Sequence, residues 1–245
     1  MDMYIATDVG KVRYHNEDSC AIFEKDASYL LVVADGMGGH LAGEIASSMA
    51  VEYLQHAFQT IEEPLNKAEA KEWLKRTIEN INLTILAQAK AEPQYSGMGT
   101  TLVVAFLTES YLLIANVGDS RAYIVTSNAI EQITHDHTLV AELLRNGEIT
   151  DEEFATHPNK NILLQAVGTE HQIEVDIFEV HMRDVQGLML CSDGLTTMLS
   201  DEDILHYIQE ANTAHEAVDL LIYAANERGG FDNISVAMCL EKGDE

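Results

Sequence analysis

Four aspartates in this sequence stand beside apolar runs that read as buried strands. The run 30–34 leads into Asp35-Gly36, and the run 112–117 leads into Gly118-Asp119-Ser120-Arg121. The run 188–191 leads into Ser192-Asp193-Gly194, and Asp232-Asn233 stands immediately before Ile234-Ser235-Val236-Ala237. Any one of these is an ordinary turn signal, because Asp and Gly suit the tight geometry after a strand. Together they are a set of carboxylates at strand ends. If those ends converge, mutual repulsion would raise their pKa values sharply unless cations neutralise them. Oxygen ligands without a Cys or His cluster at ligand spacing point to Mg²⁺ or Mn²⁺ rather than zinc or copper.

Arg13 adds the complementary charge. It lies in Lys11-Val12-Arg13-Tyr14-His15-Asn16-Glu17-Asp18, close to an amide and two acids. A single arginine is usually a solvated surface residue, but its planar fork suits bidentate binding of a phosphoryl group. Asp35-Gly36-Met37-Gly38-Gly39-His40 opens a helical pattern, and glycines there let backbone approach a ligand closely. Without a Lys-Ser/Thr ending this run is not a nucleotide P-loop. Gly97-Met98-Gly99-Thr100-Thr101 is a weaker signal that also fits a plain strand entry.

The elements that must position these residues are legible from periodicity. Strands are expected near 3–7, 20–24, 28–34, 99–107, 111–117, 120–126, 129–134, 174–181, 186–191 and 233–240. Short connections across 110–133 predict an antiparallel meander. A helix is expected over 41–59 from Ile45, Met49, Tyr53 and Ala57. A second starts at Asn66 with Glu69 as a capping box and carries Ala70, Leu74, Ile78, Ile81 and Ile85 on one face. Thr213 and Glu216 form another capping-box pattern, for a helix ended by Gly229-Gly230. Few strands are separated by a helix-sized connection, so a doubly wound parallel sheet is disfavoured and helices layered on antiparallel sheets are expected. Residues 136–170 alternate charged, Gly-containing and short helical segments and read as an inserted flap.

Composition bounds the rest. The 245 residues are 47% hydrophobic and contain three prolines and no linker-like tract, which fits one domain over 1–245. The three cysteines, Cys20, Cys191 and Cys239, lie in apolar stretches and read as buried free thiols, not as disulfides or a zinc cluster. None sits in a nucleophile loop. The net charge of −27 opposes binding to nucleic acid or anionic membranes. Charge alone does not separate plain solubility from cation binding. With no signal-like N-terminus and no membrane-length apolar run, a cytoplasmic protein is expected.

At this point the ordered motifs resemble a known family. Arg13-x-x-Asn16-Glu17-Asp18, Asp35-Gly36-Met37-Gly38-Gly39-His40, Gly97-Met98-Gly99-Thr100-Thr101, Gly118-Asp119-Ser120-Arg121, Ser192-Asp193-Gly194 and Asp232-Asn233 look like those of the metal-dependent type-2C protein serine/threonine phosphatases, bacterial branch. The resemblance spans nearly the whole chain. It implies an α+β, four-layer α/β/β/α sandwich with two central antiparallel sheets and a flap insertion. It also implies two core Mn²⁺ or Mg²⁺ ions, with a third site at Asp119 and Asp193.

By position, Asp35 would bridge two metals and the Gly36 carbonyl would join one of them. Asp193 and Asp232 would hold the other, and Glu17 and Asp18 would hold water on the ions. Arg13 would bind the phosphoryl oxygens, and His157 in the flap would touch substrate. Met37 stands where many eukaryotic members carry histidine, so His40 is either a general acid or a positioning residue. An activated water would attack phosphorus in line, without a phosphoenzyme. The implied partners are phosphorylated proteins, including a Ser/Thr kinase and its substrates, met by a monomer. Two rivals are a non-catalytic module on the same fold and a phosphatase acting on a transcription-factor antagonist.

Overall fold

The structure, a computed structural model, describes residues 1–39, 41–159, 162–183 and 185–241. Two antiparallel sheets pack face to face. One is five-stranded, in the order β1 (Asp2–Asp8), β11 (Ile234–Leu240), β10 (Gly187–Cys191), β7 (Arg121–Val125), β8 (Ile130–Gln132). The other follows β2 (Asp18–Lys25), β3 (Ser28–Met37), β5 (Leu102–Leu107), β6 (Leu112–Val117), β9 (Asp176–Val180), with β4 (Gly99–Thr100) pairing β3.

The unbroken apolar strands are explained by their surroundings, because both faces of each sheet are covered. Alternate residues of β3 divide between two cores. Leu31 and Val33 join Val103, Ile114, Ile124, Leu190 and Ala237 between the sheets. Leu30 and Val32 face the outer helices α1 (Leu41–Gln59) and α2 (Lys67–Ala91), against Leu54, Phe58, Leu74 and Ile78. On the opposite side, Tyr123, Met189 and Val236 pack against Ile204 of α6 (Asp201–Glu210) and Leu221 of α7 (Ala214–Glu227). The result is the expected α+β sandwich with helices outside both sheets. Among the described residues no helix is long and apolar enough to cross a membrane.

Several local expectations are met and others corrected. All ten expected strands are present, with 99–107 divided into β4 and β5. Asn66 caps α2 in a full capping box, and the face from Ala70 to Ile85 is buried. In α7 the Thr213 hydroxyl accepts from the Glu216 N–H, but the Glu216 carboxylate turns to the Asn212 N–H at 2.9 Å, so the box is half formed. The deepest face of α1 is Ala46, Ala50, Leu54 and Phe58, with Ile45, Met49 and Tyr53 along its border. Small residues win that face because they let the helix lie close to the sheet.

The meander expected over 110–133 is not continuous. β6 pairs β5 and β9, whereas β7 pairs β8 and β10 in the other sheet. The chain crosses between sheets at Gly118, whose φ of +111° is a region that favours glycine. A Cβ there would stand 2.7 Å from the Thr101 side chain. That crossing places Asp119 at the shared edge of both sheets. Residues 136–170 contain α3 (Leu139–Arg145) and α4 (Asp151–Thr156) and return to the sandwich through the Thr100–Val167 bridge.

Candidate active site

The acids assemble at one edge of the sandwich because neighbouring strands are antiparallel. Where β3 ends, β2 begins, and Asp35 is the register partner of Asp18. β6 runs out to Asp119, Asp193 opens α5 (Asp193–Thr196) just after β10, and Asp232 lies just before β11. Asp35, Asp119, Asp193 and Asp232 line one cleft of about 300 Å³ with Arg13, Glu17, Gly36, Thr101 and Leu163. A larger groove of about 630 Å³ between α1 and α2 carries Glu69, Glu72 and Arg76 on helix surfaces but none of the strand-end aspartates.

Each acid is fixed by its neighbours. The Asp35 N–H donates to Thr101 Oγ1 at 3.0 Å, and its carbonyl accepts from the Thr101 N–H at 2.8 Å. The Gly36 N–H donates to the Glu17 carbonyl at 3.1 Å. A Cβ on Gly43 would fall 2.0 Å from Glu17 Oε2, so the start of α1 must be bare for the Glu17 side chain to lie there. Asp18 is buried beneath the cleft, with Oδ2 accepting from Ser192 Oγ at 2.7 Å. Its Oδ1 is buried and has no hydrogen-bond partner among the described residues. Asn233 ties three segments together. Its Oδ1 accepts from the Glu17 N–H at 2.8 Å, and its Nδ2 donates to the carbonyls of Val9 and His15 at 2.9 Å each.

The electrostatics are those of carboxylates crowded together. Burial, then repulsion from Asp18, Asp193, Asp119 and Asp232, holds Asp35 well above the ordinary carboxylate range. Asp18 is pushed up to about 7, first by burial and then by Asp193 and Asp232, against hydrogen bonds that lower it. Asp119 rises to about 7 through burial and the charges of Asp193 and Asp136. Asp193 rises to about 6 through burial and Asp232. The carboxylates of Asp35, Asp119 and Asp193 keep part of their surface open to the cleft, but protein atoms crowd them on the other sides. Arg13 faces the same cleft and donates from Nη2 to Asp232 Oδ2 at 2.7 Å.

This donor set fits hard divalent cations. It is all oxygen, it is repulsive without a counter-charge, and it includes the orphaned Asp18 Oδ1. Among the described residues no three His, Cys, Asp or Glu side chains form a ligand group by themselves. Mg²⁺-like ions usually take one or two carboxylates and keep several waters.

The structure therefore brings together Arg13, Glu17, Asp35, Gly36, Asp119, Asp193 and Asp232, with Asp18 directly below them. His40 lies outside the described residues. His157 ends α4, where Nδ1 accepts from the Asn159 N–H at 3.2 Å, and it is not among the described residues lining the cleft. The three cysteines are free, and burial raises the thiols of Cys20 and Cys239 to about 11 and of Cys191 to about 12. Such thiols are poor nucleophiles near neutral pH.

Sequence reasoning missed the supports behind the acids. Ser192 and Asn233 adjoin two of the aspartates, which was the available signal. Arg121 stands in the Gly118-Asp119-Ser120-Arg121 motif but its partner is not marked there: its fork pairs with Asp136 at 2.7–3.2 Å beneath Asp119. His137 is likewise hidden. Its Nδ1 accepts from the Gly118 N–H at 3.2 Å, which leaves Nε2–H to donate to Asp176 at 3.1 Å. His137→Leu should strand the buried Gly118 N–H and cost about 1–3 kcal/mol in urea unfolding of the metal-free protein. An unchanged midpoint would refute this role.

Comparison with known proteins agrees with the geometry. The family model described as protein phosphatase 2C matches residues 11–221. The "Serine/threonine phosphatase stp" of Listeria monocytogenes is 46% identical over 95% of this chain and 92% of its own length. "Protein phosphatase PhpP" of Streptococcus pneumoniae is 38% identical over 97% of this chain and 96% of its own. The crystal structure of serine/threonine phosphatase Stp1 from Staphylococcus aureus superposes with a TM-score of 0.94 at 38% identity, covering 99% of this chain and 96% of that one.

Proposed function

This chain belongs to the metal-dependent protein phosphatase 2C family, and we propose that it hydrolyses phosphoserine and phosphothreonine in proteins at the acidic cleft described above. The observation that carries this reading is the convergence of Asp35, Asp119, Asp193 and Asp232 on one cleft that also holds Arg13. Asp35, the Gly36 carbonyl, Asp193 and Asp232 would hold two Mn²⁺ or Mg²⁺ ions, and Asp119 with Asp193 a third. Glu17 and Asp18 would orient water around them. When bound, the ions supply a water acidic enough to act near neutral pH and positive charge against that gathering on the phosphoryl group.

The chain's own residues do the rest. Arg13 presents a fork to two phosphoryl oxygens, a role for which its planar guanidinium is built. Asp232 holds that fork at the cleft, and Asn233 fixes the Arg13–Asp18 segment through the Glu17 N–H and the His15 carbonyl. His40, which follows Gly39 in sequence, is our candidate to protonate the departing Ser or Thr oxygen. We further propose one catalytic domain over 1–245 with 136–170 as its flap, acting as a cytoplasmic monomer against a Ser/Thr kinase and its substrates.

The direct test is p-nitrophenyl phosphate with Mn²⁺, where turnover should vanish on adding chelator and return with metal. Activity surviving complete metal removal would overturn the reading. Arg13→Ala should raise KM about 10–100-fold, since hydrogen bonds to a charged partner contribute about 1.5–3 kcal/mol. An unchanged KM with lost kcat would instead assign Arg13 to the transition state.

A further inference from the structure

Among the described residues, most exposed large hydrophobic residues lie within two positions of one that lines the cleft. Val12 and Tyr14 flank Arg13, Phe231 precedes Asp232, Leu41 lies two residues beyond Gly39, and Ile162 and Leu164 flank Leu163. Tyr14 is 95% exposed and Phe231 60%. Single exposed apolar residues are normal on any protein surface. Here, however, they recur beside cleft-lining residues in several separate segments, which marks an interaction surface.

Two of those segments are joined into one wall. The Lys11 N–H donates to the Gly230 carbonyl at 2.8 Å, and Arg13 pairs with Asp232 at 2.7 Å. Val12 and Tyr14 on one loop of this wall thus accompany Phe231 on the other, either side in sequence of the Arg13–Asp232 pair. Among the described residues, Tyr14 and Phe231 make no hydrogen bond or ring contact.

We infer that this apolar rim selects substrate: it takes an extended phosphorylated segment carrying apolar or aromatic side chains next to the phosphoresidue. The inference rests on the phosphatase reading above, because that reading puts the phosphoryl group at Arg13 and so runs the flanking peptide over the rim. Charge sharpens the preference. A chain of net charge −27 repels acidic flanks, whereas apolar flanks cover Tyr14 and Phe231 without a charge penalty.

The experiment compares two phosphothreonine peptides of equal length, one flanked by Leu, Phe and Val and one by Ser and Asp, with p-nitrophenyl phosphate as the small substrate. The enzyme is assayed with Mn²⁺, as wild type and as Tyr14→Ser/Phe231→Ser. Wild type should prefer the apolar peptide about tenfold in kcat/KM. The double variant should lose that preference through KM while its p-nitrophenyl phosphate turnover stays within about twofold. Equal kcat/KM for the two peptides in wild type, or an unaltered preference in the variant, would overturn the proposal. Loss of p-nitrophenyl phosphate turnover in the variant would overturn it too, since these side chains would then serve the cleft itself. Absence of Mn²⁺-dependent hydrolysis of all three substrates by wild type would overturn the phosphatase reading instead.

Discussion

Asp193→Asn should abolish turnover while making the metal-free protein more stable. The two effects have one origin. Asp193 stands among Asp35, Asp119 and Asp232, and burial plus the Asp232 charge raise it to about 6. At pH 8 that carboxylate is ionised in a place that disfavours its charge. A neutral amide of the same shape removes the repulsion, which should add on the order of 1–2 kcal/mol after discounting for the face open to solvent. The same change removes an anionic metal ligand. Since bound ions supply several kcal/mol of transition-state stabilisation, the loss should be about 10³-fold or more in kcat/KM. Asp35→Asn should behave alike, because burial and its acidic neighbours hold its carboxylate well above the ordinary range. The measurements are turnover with Mn²⁺ and thermal unfolding in chelator. A variant that loses both activity and metal-free stability would show a structural role, and one with near-normal turnover would remove Asp193 from the site.

Stability of the metal-free protein should fall as pH rises, and added Mn²⁺ should reverse the trend. Asp18 and Asp119 are raised to about 7 and Asp193 to about 6, from an ordinary value of 3.8. Between about pH 4 and 7 the folded chain therefore keeps protons that the unfolded chain has released. With more protons bound in the folded state, stability declines through that window, and the penalty is complete above it. A cation binds the ionised acids of the folded form, so its effect grows in the same direction. At about a hundredfold excess over Kd it should contribute roughly 2.7 kcal/mol, or about 5–11 °C in Tm for a chain of this size. The comparison is Mn²⁺ against chelator at pH 5.5 and pH 8. Equal Tm shifts at both would mean that the cluster is not where the metal binds.

How much of this was legible beforehand differs from residue to residue. The candidate ligands were marked because a polar turn residue after an apolar strand is a local pattern. The capping box at Asn66 and the buried face of α2 were likewise local and were found as expected. The crossing at Gly118 was not. Short connections suggest one meander, and only the pairing of β6 with β9 and of β7 with β10 shows that the chain changes sheets. On α1 the apolar period was visible, but which of two adjacent stripes faces the sheet depends on how closely the helix lies on it.

Residue types and their order were enough to mark the type of chemistry: oxygen ligands, arginines near them, and no reactive thiol. They were enough because residue type and strand-end position are properties of short segments. Tertiary structure alone decided that the carboxylates share a cleft, that Asp18 lies under it with an orphaned oxygen, and that Arg121, His137 and Asn233 hold the loops in place. Those partners are 15 to 224 positions from the groups they hold, and a hydrogen bond of such separation leaves no periodic or local trace. Crowding is likewise a property of the folded edge, since it exists only where antiparallel strands bring their ends together.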